Sequence, residues 1–354
     1  MSPTHGRPKA GVPLPEGQRA ARGEPKVTAP VSPRQIDVCN GDADGLCAVV
    51  QWRLATPARA ELVTGLKRDI ALLDRVQAGA GDQVLVCDLS MQRNRAALVR
   101  LLAAGARVIY FDHHLVRDIP HHPALQAHLD FSHDVCTSLL VDRDLGGRFR
   151  AWALVGAYGD NLCDVADAIA ASIGLDAAQR ERLRGLGEAI NYNAYGDDER
   201  DVYIAPARLY AIMARYDSPL SFLEHEAIAE HIDAMRQADL AHAQAIRPYR
   251  EDAHGRVWLL PDAPWSRRVI GTFANALAAA QPKRAHAVLR HTIAGDFVVS
   301  VRAPLGTPSG ANGLCARFGG NGRAAAAGID QLPKSALEPF LDAFAATRWG
   351  TREG

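Results

Sequence analysis

The chain has 354 residues, of which 48% are hydrophobic and 23% charged, the composition of an ordinary globular protein. This composition excludes a wholly disordered chain, a collagenous chain and a disulfide-stabilised miniprotein, and the length favours two domains. The 40 basic and 40 acidic residues give a formal net charge of zero. A protein that coats a long nucleic-acid tract should be strongly basic, so no such partner is expected.

Residues 1–34 are predicted to form a disordered tail. They contain seven prolines, no aromatic residue, six Lys or Arg and two Glu. Such a segment buries too little apolar surface to offset the entropy lost on ordering. The remainder of the chain is then mildly acidic.

Residues 35–165 are predicted to alternate strands with helices. The predicted strands are Ile36–Cys39, Ala60–Val63, Gln83–Cys87 and Arg107–Phe111. The predicted helices are Leu46–Leu54, Asp69–Gln77 and Arg93–Ala103. Short apolar runs separated by helical segments indicate βαβ units and a parallel sheet.

The second half of the chain is predicted to contain a helical connector and a smaller domain. Residues 166–252 are rich in Ala, Leu, Arg and Glu and form the connector, whereas residues 253–348 form a mixed α/β domain. The elements expected there are strands near Val257, at Ala285–His291 and at Phe297–Arg302, and a helix at Ser335–Ala346. The predicted fold class is therefore α/β with two domains.

Three further features predict where the chain resides. No run of about 18 apolar residues is present, and the N-terminus lacks the apolar region of a signal peptide. The six cysteines include no Cys-x-x-Cys pair, which favours a reducing compartment and argues against structural zinc. We therefore expect a cytoplasmic protein with no membrane partner.

Acidic and imidazole side chains follow the predicted strands at the point where each strand ends. Because ligands bind outside the carboxyl ends of parallel strands, these groups should converge on one edge of the sheet. Asp160 is a fourth candidate, in an apolar segment that ends in glycine. The strand-end groups are Asn40, Asp42 and Asp44, then Asp88, then Asp112, His113 and His114.

Crowded carboxylates repel one another unless a cation neutralises them, so the cluster points to a metal site. Oxygen and imidazole ligands without thiolate suit Mn²⁺ or Mg²⁺. The number of ligands is enough for two ions that share a bridging carboxylate, an arrangement suited to in-line phosphoryl displacement. Taken singly, the Asp-x-Asp-Gly motif also reads as a turn and helix cap, and Asp88 as a helix N-cap. The ordered co-occurrence favours the metal site.

The Asp-x-Asp-Gly motif, the strand-ending Asp88 and the triplet Asp112-His113-His114 resemble the DHH phosphoesterase superfamily. That superfamily includes RecJ-type exonucleases, nanoRNases, cyclic-dinucleotide phosphodiesterases and family II pyrophosphatases. The segment from Phe318 to Gly328 looks like the glycine-rich signature of the DHHA1 substrate-binding domain. The resemblance covers roughly residues 36–346.

The resemblance implies a role for each residue of the motifs. Asp42 and Asp44 would each bind a different metal ion, and Asp88 would bridge the two. His113 and Asp160 would complete the ligands of the second ion, whereas His114 would face the scissile phosphate. Catalysis would thus rest on Asp88, His113 and His114. The residues implied in substrate binding are His114, Arg302, Gly319, Gly320, Gly322 and Arg323.

The sequence departs from the family pattern at two positions. Many relatives have a histidine where this chain has Val38, so the first ion is expected to bind more weakly, with Asn40 as a neutral oxygen ligand instead. Arg323 stands where the glycine-rich motif usually has histidine, and an arginine still binds phosphate with two hydrogen bonds. The glycines alone also read as a tight turn, and Arg302 alone as a solvated strand-end charge.

The function predicted is a Mn²⁺- or Mg²⁺-dependent phosphoesterase that uses two ions on short oligonucleotides or small nucleotides. A RecJ-like exonuclease specific for single strands is the first alternative, because Asp-x-Asp-Gly is closer to the RecJ-type motif. A non-catalytic nucleotide-binding protein with a degenerate metal site is the second, supported by Val38. A nicotinamide-dependent dehydrogenase is disfavoured, because no G-x-G-x-x-G follows the first strand. The sequence leaves a homodimer open.

Overall fold

The computed structural model describes residues 33–350, so residues 1–32 of the tail predicted over residues 1–34 lie outside the described residues. Arg34, the last residue of that predicted tail, has partners in the folded part. Its guanidinium lies 2.8 Å from the carboxylate of Asp82, and its backbone N–H donates to the same side chain at 2.9 Å.

The first sheet contains five strands, all of them parallel. They are β1 (Gln35–Asn40), β2 (Ala60–Gly65), β3 (Gln83–Cys87), β4 (Arg107–Asp112) and β5 (Leu125–Leu129). Their order across the sheet is β2-β1-β3-β4-β5. The chain thus leaves β1 for one side of the sheet and returns to the other, so a crevice opens between the carboxyl ends of β1 and β3. Ligands of doubly wound sheets bind at this point.

Helices cover both faces of the first sheet, which explains the continuous apolar runs of its strands. On one face, α1 (Ala43–Ala55) packs in an apolar cluster with Cys39 and Trp152. On the other face, α2 (Met91–Ala103) packs in a cluster that includes Val38. Because neighbouring β1 residues point to opposite faces, both faces of this strand are buried.

A helical region follows the first sheet and spans the residues of the predicted connector. Its helices are α3 (Thr137–Asp144), α4 (Arg150–Gly159), α5 (Cys163–Ser172), α6 (Ala177–Asn193), α7 (Pro206–Met213), α8 (Pro219–His225) and α9 (Ile228–Gln244). Helices α3, α4 and α6 contribute to the same apolar cluster as α1, through side chains such as Leu139, Leu154 and Ile190. The core of the parallel sheet therefore extends into the helical region.

The second sheet contains six strands and is mixed. They are β6 (Arg250–Glu251), β7 (Gly255–Leu260), β8 (Ala285–His291), β9 (Phe297–Arg302), β10 (Asn321–Gly322) and β11 (Ala326–Leu332). The order is β10-β11-β9-β8-β7-β6, and only β7 and β8 pair in parallel. The accompanying helices are α10 (Pro264–Ala280), α11 (Ala311–Ala316) and α12 (Leu337–Ala346). The α/β fold class with a second, mixed sheet is confirmed.

One helix predicted from the sequence is absent. Within Asp69–Gln77 the structure has only a 3₁₀ turn at Leu72–Arg75. The side chain of Asn94, on α2, accepts from the Leu73 N–H at 3.2 Å and donates to the Ile70 carbonyl at 2.8 Å. These long-range bonds use backbone groups that a regular helix would pair internally.

Asp197, in the segment after α6, joins the two sheets. Its carboxylate pairs with Arg68, which follows β2, and with Arg290 of β8, whose Nη2 lies 2.6 Å away. Arg267 of α10 approaches the other oxygen at 3.6 Å. Because Arg290 is only 4% exposed, its charge depends on this partner.

No helix within residues 33–350 is both long and apolar enough to cross a membrane. All six cysteines are unpaired.

Candidate metal centre

Asp42 occupies the turn between β1 and α1 and serves as the N-cap of that helix. The side-chain oxygen of Asn40 accepts from the Asp42 N–H at 3.2 Å, and Oδ1 of Asp42 accepts from the Gly45 N–H at 3.1 Å. The turn-and-cap reading of the Asp-x-Asp-Gly motif is therefore correct locally. The same geometry directs the second oxygen, Oδ2, away from the helix end.

Lys67 binds that second oxygen. Its Nζ lies 2.5 Å from Oδ2 of Asp42 and 3.2 Å from Oδ1 of Asn191. Burial opposes ionisation of Asp42, but the Lys67 ammonium and the Gly45 N–H outweigh it and hold the pKa of Asp42 below its usual value. Asp42 is thus an ionised, buried carboxylate with a cationic partner.

Asp44 lies behind the pocket rather than in its wall. Its two oxygens accept from the backbone N–H groups of Thr137 at 2.8 Å and Ser138 at 2.7 Å, at the start of α3. Helix N-termini carry unpaired N–H groups and a partial positive charge, so they bind a carboxylate well. Both oxygens of Asp44 therefore already accept backbone hydrogen bonds. The role of Asp44 as a metal ligand stays a prediction.

Asp88 follows β3 with a backbone φ of +57°, in the left-handed region that aspartate tolerates better than most residues. It is not a helix N-cap, because α2 begins at Met91 after Ser90. Burial first, and then the neighbouring carboxylates of Asp42 and Asp44, raise the pKa of Asp88 well above its ordinary value. Carboxylates that disfavour one another's ionisation mark a place that a cation can take.

His113 faces Asp88 with one ring nitrogen and the backbone with the other. Its Nε2 lies 3.5 Å from Oδ1 of Asp88, and its Nδ1 lies 3.1 Å from the Val135 carbonyl. Metal-bound histidines commonly donate the second N–H to such a carbonyl, which fixes the ring. Burial opposes protonation, yet the hydrogen bond to Asp88 and nearby carboxylates raise the pKa of His113 to about 10.

His114 is held by Asp112. Its Nδ1 lies 2.7 Å from Oδ1 of Asp112, and its backbone N–H donates to the same oxygen at 3.2 Å. Asp112 is fully buried, and its Oδ2 accepts from the Met91 N–H at 3.2 Å. The His114 side chain is half-exposed. Its Nδ1 therefore faces the protein, and its ring borders the pocket.

Asp160 follows the last residue of α4. The apolar segment before it is helical and contributes side chains to the same core cluster as α1 and α6. Its Oδ2 is buried and has no hydrogen-bond partner among the described residues. Burial, and then the charge of Asp44, raise the pKa of Asp160 to about 6. This buried oxygen without a partner lies in the same pocket as His113, His114 and Asp88, so it is available as a ligand for a cation.

These side chains line one pocket at the carboxyl ends of the strands. The structure brings together every predicted metal ligand except Asp44, and it adds groups that the sequence did not predict. The lining residues are Asn40, Asp42, Lys67, Ile70, Asp88, Leu89, Ser90, Arg93, His113, His114, Asp160 and Asn321. Lys67 follows β2 by two residues, so the strand-end rule applied to Ala60–Gly65 would have identified it.

The glycine-rich segment contributes a wall to this pocket through Asn321 of β10. The glycines themselves allow close packing against β11. A Cβ at Gly320 would lie 2.2 Å from the Gly328 carbonyl oxygen, and one at Gly322 would lie 2.5 Å from Cα of Ala327. The tight-turn reading therefore accounts for these two positions. Their predicted role in phosphate binding, and that of Gly319, stays a prediction.

The two predicted phosphate-binding arginines lie outside the residues that line the pocket. Arg302 ends β9, where its Nε donates to Asn275 of α10 at 2.6 Å and its Nη1 to Ser300 at 3.0 Å. Burial lowers the pKa of Arg302. Arg323 is exposed, in the turn between β10 and β11.

Two other sequence features find an explanation. Val38 is fully buried in the apolar core, so it contributes no ligand where relatives carry a histidine. The polar run Asn191-Tyr192-Asn193 ends α6, where Asn191 binds Lys67 and Tyr192 binds Asp239. Asn193 accepts from the Ile204 N–H at 3.2 Å and donates to its carbonyl at 2.8 Å.

The sequence matches no protein-family model and no curated protein. Solved structures do share its fold. The DHH domain of a member of a ribosomal-protein family has a TM-score of 0.60 at 14% identity, over 88% of this chain and 86% of that one. Exonuclease RecJ bound to manganese has a TM-score of 0.54 at 17% identity, over 91% and 92% of the two chains. The pGpG-specific phosphodiesterase PggH from Vibrio cholerae has a TM-score of 0.52 at 14% identity, over 88% and 97%. The chain therefore has the fold of DHH-domain proteins.

Proposed function

We propose that this chain is a DHH-type phosphoesterase that requires Mn²⁺ or Mg²⁺ and hydrolyses short oligonucleotides or small nucleotides. The observation that carries the proposal is the group formed by Asp88, His113 and His114, which places one ligand atom from each within 4.8 Å of the others. Asp160 adds a buried oxygen without a partner in the described part of the chain. The fold places this group at the crevice where doubly wound sheets bind ligands.

The residues of the pocket fit a hard divalent cation. Asp88, His113 and Asp160 would hold it, through two carboxylates and an imidazole whose other nitrogen is fixed by the Val135 carbonyl. When bound, such a cation polarises a phosphoryl oxygen and lowers the pKa of water.

Other side chains of the pocket would bind the phosphate. Lys67 and Arg93 supply positive charge at the pocket wall. His114 is oriented by the buried Asp112, which supports its role beside the scissile phosphate as a donor to the developing charge. Asn321 would contact the part of the substrate that extends towards the second sheet.

A short substrate fits the charge of the molecule. Net charge is zero, so no broad positive field is available to bind a long strand. The neighbours are named for an exonuclease and for a phosphodiesterase of pGpG, both of which act on nucleotide phosphodiesters. Their names support the substrate class for this chain. A cytoplasmic location and the oligomeric state remain predictions.

Exonuclease action on single-stranded DNA is the second candidate, favoured by the coverage of the RecJ structure over 91% of this chain. A hydrolysis panel with Mn²⁺ separates the candidates. It contains a dinucleotide, pAp, a cyclic dinucleotide, polyphosphate and single-stranded DNA with a 5′-phosphate. We expect turnover of the dinucleotide or pAp to exceed that of the DNA.

Faster stepwise release of nucleotides from the DNA would support the exonuclease instead. If no member of the panel is hydrolysed, although Mn²⁺ binds, the proposal fails and the chain is better described as a nucleotide-binding protein. The control is Asp118→Asn, which alters an exposed aspartate paired with Arg95.

A further inference from the structure

The carboxylates around the pocket differ in the partners that they already have. Both oxygens of Asp42 are engaged, Oδ1 by the Gly45 N–H and Oδ2 by Lys67. Asp160, in contrast, has a buried oxygen with no partner among the described residues. The pocket therefore has one region without a positive charge, around Asp160, and one region where the Lys67 ammonium already supplies it, at Asp42.

The ammonium of Lys67 already binds the oxygen of Asp42 that a metal ion would need. Its Nζ is 2.5 Å from Oδ2 of Asp42. A Mg²⁺ ion on the same oxygen would lie about 2.1 Å from it, and therefore within about 5 Å of the ammonium. Because two cations at that distance repel each other, Lys67 and a metal ion compete for Oδ2 of Asp42.

Lys67 is fixed in that place by more than its ion pair. Its Nζ also donates to Asn191 of α6 at 3.2 Å and lies 5.9 Å from the ring centre of Tyr195, within the range of a cation–π contact. Both partners come from α6 and the residues directly after it. Because three groups hold Lys67, its side chain has little freedom to move away when a metal ion approaches.

Ligand geometry points the same way. Within residues 33–350, one group of three or more His, Cys, Asp or Glu side chains brings its ligand atoms within 4.8 Å of one another, and it consists of Asp88, His113 and His114. Asp42 and Asp160 both lie outside this group, but Asp160 offers an oxygen without a partner among the described residues, whereas both oxygens of Asp42 already accept hydrogen bonds. A second ion would therefore have to collect its ligands from Asp42 and Asp44, whose oxygens already accept hydrogen bonds.

We propose that the pocket binds one divalent ion rather than two, and that the ammonium of Lys67 supplies the second positive charge. The single ion lies on Asp88, His113 and Asp160, and Lys67 neutralises Asp42. Two protons of the Lys67 ammonium have acceptors, Asp42 and Asn191, which leaves the third for a phosphate oxygen of the substrate. This inference rests on the proposed function, since it concerns the same metal site.

Metal stoichiometry tests the inference without any measurement of turnover. Equilibrium dialysis of the full chain against saturating Mn²⁺, followed by elemental analysis, should give about one ion per chain, instead of the two of a two-metal site. Electron paramagnetic resonance should show isolated Mn²⁺ without exchange coupling. In Lys67→Met, which keeps the length of the side chain and removes the charge, stoichiometry should rise to about two and a coupled pair should appear.

Two further variants keep the result interpretable. Lys67→Arg retains the charge and should bind one ion, whereas Lys334→Met removes an exposed lysine of the second half and should also bind one. Circular dichroism confirms that each variant is folded. Lys67→Gln replaces Lys67→Met if the latter does not fold.

Each outcome supports or overturns either the role of Lys67 or the proposed function. Two ions in the wild-type protein, or one ion in both the wild type and Lys67→Met, would overturn the role of Lys67. The absence of any bound Mn²⁺ would overturn the proposed metal-dependent function itself. One bound ion together with a failed hydrolysis panel would leave the Lys67 inference standing and remove only the proposed activity.

Discussion

His114 is bound through Nδ1 to Oδ1 of Asp112, at 2.7 Å, and Asp112 is completely buried at the end of β4. The carboxylate fixes which ring nitrogen carries a proton and holds the ring beside the pocket. Burial opposes protonation of the ring, but Asp112 outweighs it and raises the pKa of His114. Asp112 therefore acts on the substrate only through His114.

The first prediction concerns this pair. Asp112→Asn removes the charge that orients His114, so we expect kcat to fall by roughly 10²- to 10⁴-fold. Mn²⁺ binding should stay close to that of the wild type, because the Asp112 side chain hydrogen-bonds to His114 and to the Met91 N–H and not to Asp88, His113 or Asp160, which are proposed to hold the ion. The measurement is steady-state kinetics with elemental analysis. A parallel loss of metal would show that Asp112 supports the ion instead.

The second prediction concerns Asp88. Asp88→Asn keeps a residue that tolerates the left-handed backbone and removes the negative charge at the centre of the cluster. We expect Mn²⁺ affinity to fall by at least about 100-fold, with turnover lost in proportion. Isothermal titration with Mn²⁺ measures the affinity. Asp118→Asn is the matched control, and wild-type affinity in Asp88→Asn would refute the metal site.

The third prediction concerns Asp197, whose ion pairs join the two sheets. Asp197→Ala leaves Arg290 buried without its partner, so we expect unfolding free energy to fall by about 1–3 kcal/mol. The KM for a dinucleotide should rise, because Asn321 reaches the pocket from the second sheet, while Mn²⁺ affinity stays constant. Asp198→Ala, next in the chain and paired with the exposed Arg200, is the comparison. Equal effects of the two substitutions would argue against this role of Asp197.

The fourth prediction concerns the packing of the glycine-rich segment. In Gly320→Ala the added Cβ meets the backbone oxygen of Gly328, so we expect a loss of about 2–3 kcal/mol in urea unfolding. Gly185→Ala is the control, because it lies in α6 with open space around it and should gain about 1 kcal/mol. No loss in Gly320→Ala would mean that β10 and β11 separate easily.

The fifth prediction concerns acid sensitivity. His286 of β8 is fully buried, and burial lowers its pKa below that of the unfolded chain, near 6.5. The unfolded state then binds the proton more tightly, so the stability is complete above pH 6.5 and decreases as the pH falls below it, by at most about 1.4 kcal/mol per pH unit. His286→Leu should flatten this slope in urea titrations, whereas the exposed His254→Gln should not. An unchanged slope in His286→Leu would exclude His286 as the cause.

Strands were the part of the fold most accessible from sequence. Gln83–Cys87, Ala285–His291 and Phe297–Arg302 were predicted to the residue, because each contains a short, largely apolar and β-branched run. In contrast, β5 and β11 were not predicted, since their polar, alanine and glycine residues lack that pattern.

The candidate site likewise contains residues that could be predicted from the sequence and residues that could not. The convergence of Asp42, Asp88 and His113 follows from the topology of a parallel sheet and was predicted. Lys67 was not, although the strand-end rule applied to β2 would have placed it at the same edge. Its pairing with Asp42, 25 residues away, and with Asn191, 124 residues away, could not be predicted, because local pattern carries no information on such pairs.

The left-handed backbone at Asp88 also governs how this protein can change over generations. Asparagine and glycine adopt that conformation with little strain, whereas most other side chains do not. Substitutions that erase the acid while preserving the architecture are therefore the easiest ones to accept at this position. A lineage could lose its chemistry in one step and persist as an intact scaffold for binding nucleotides.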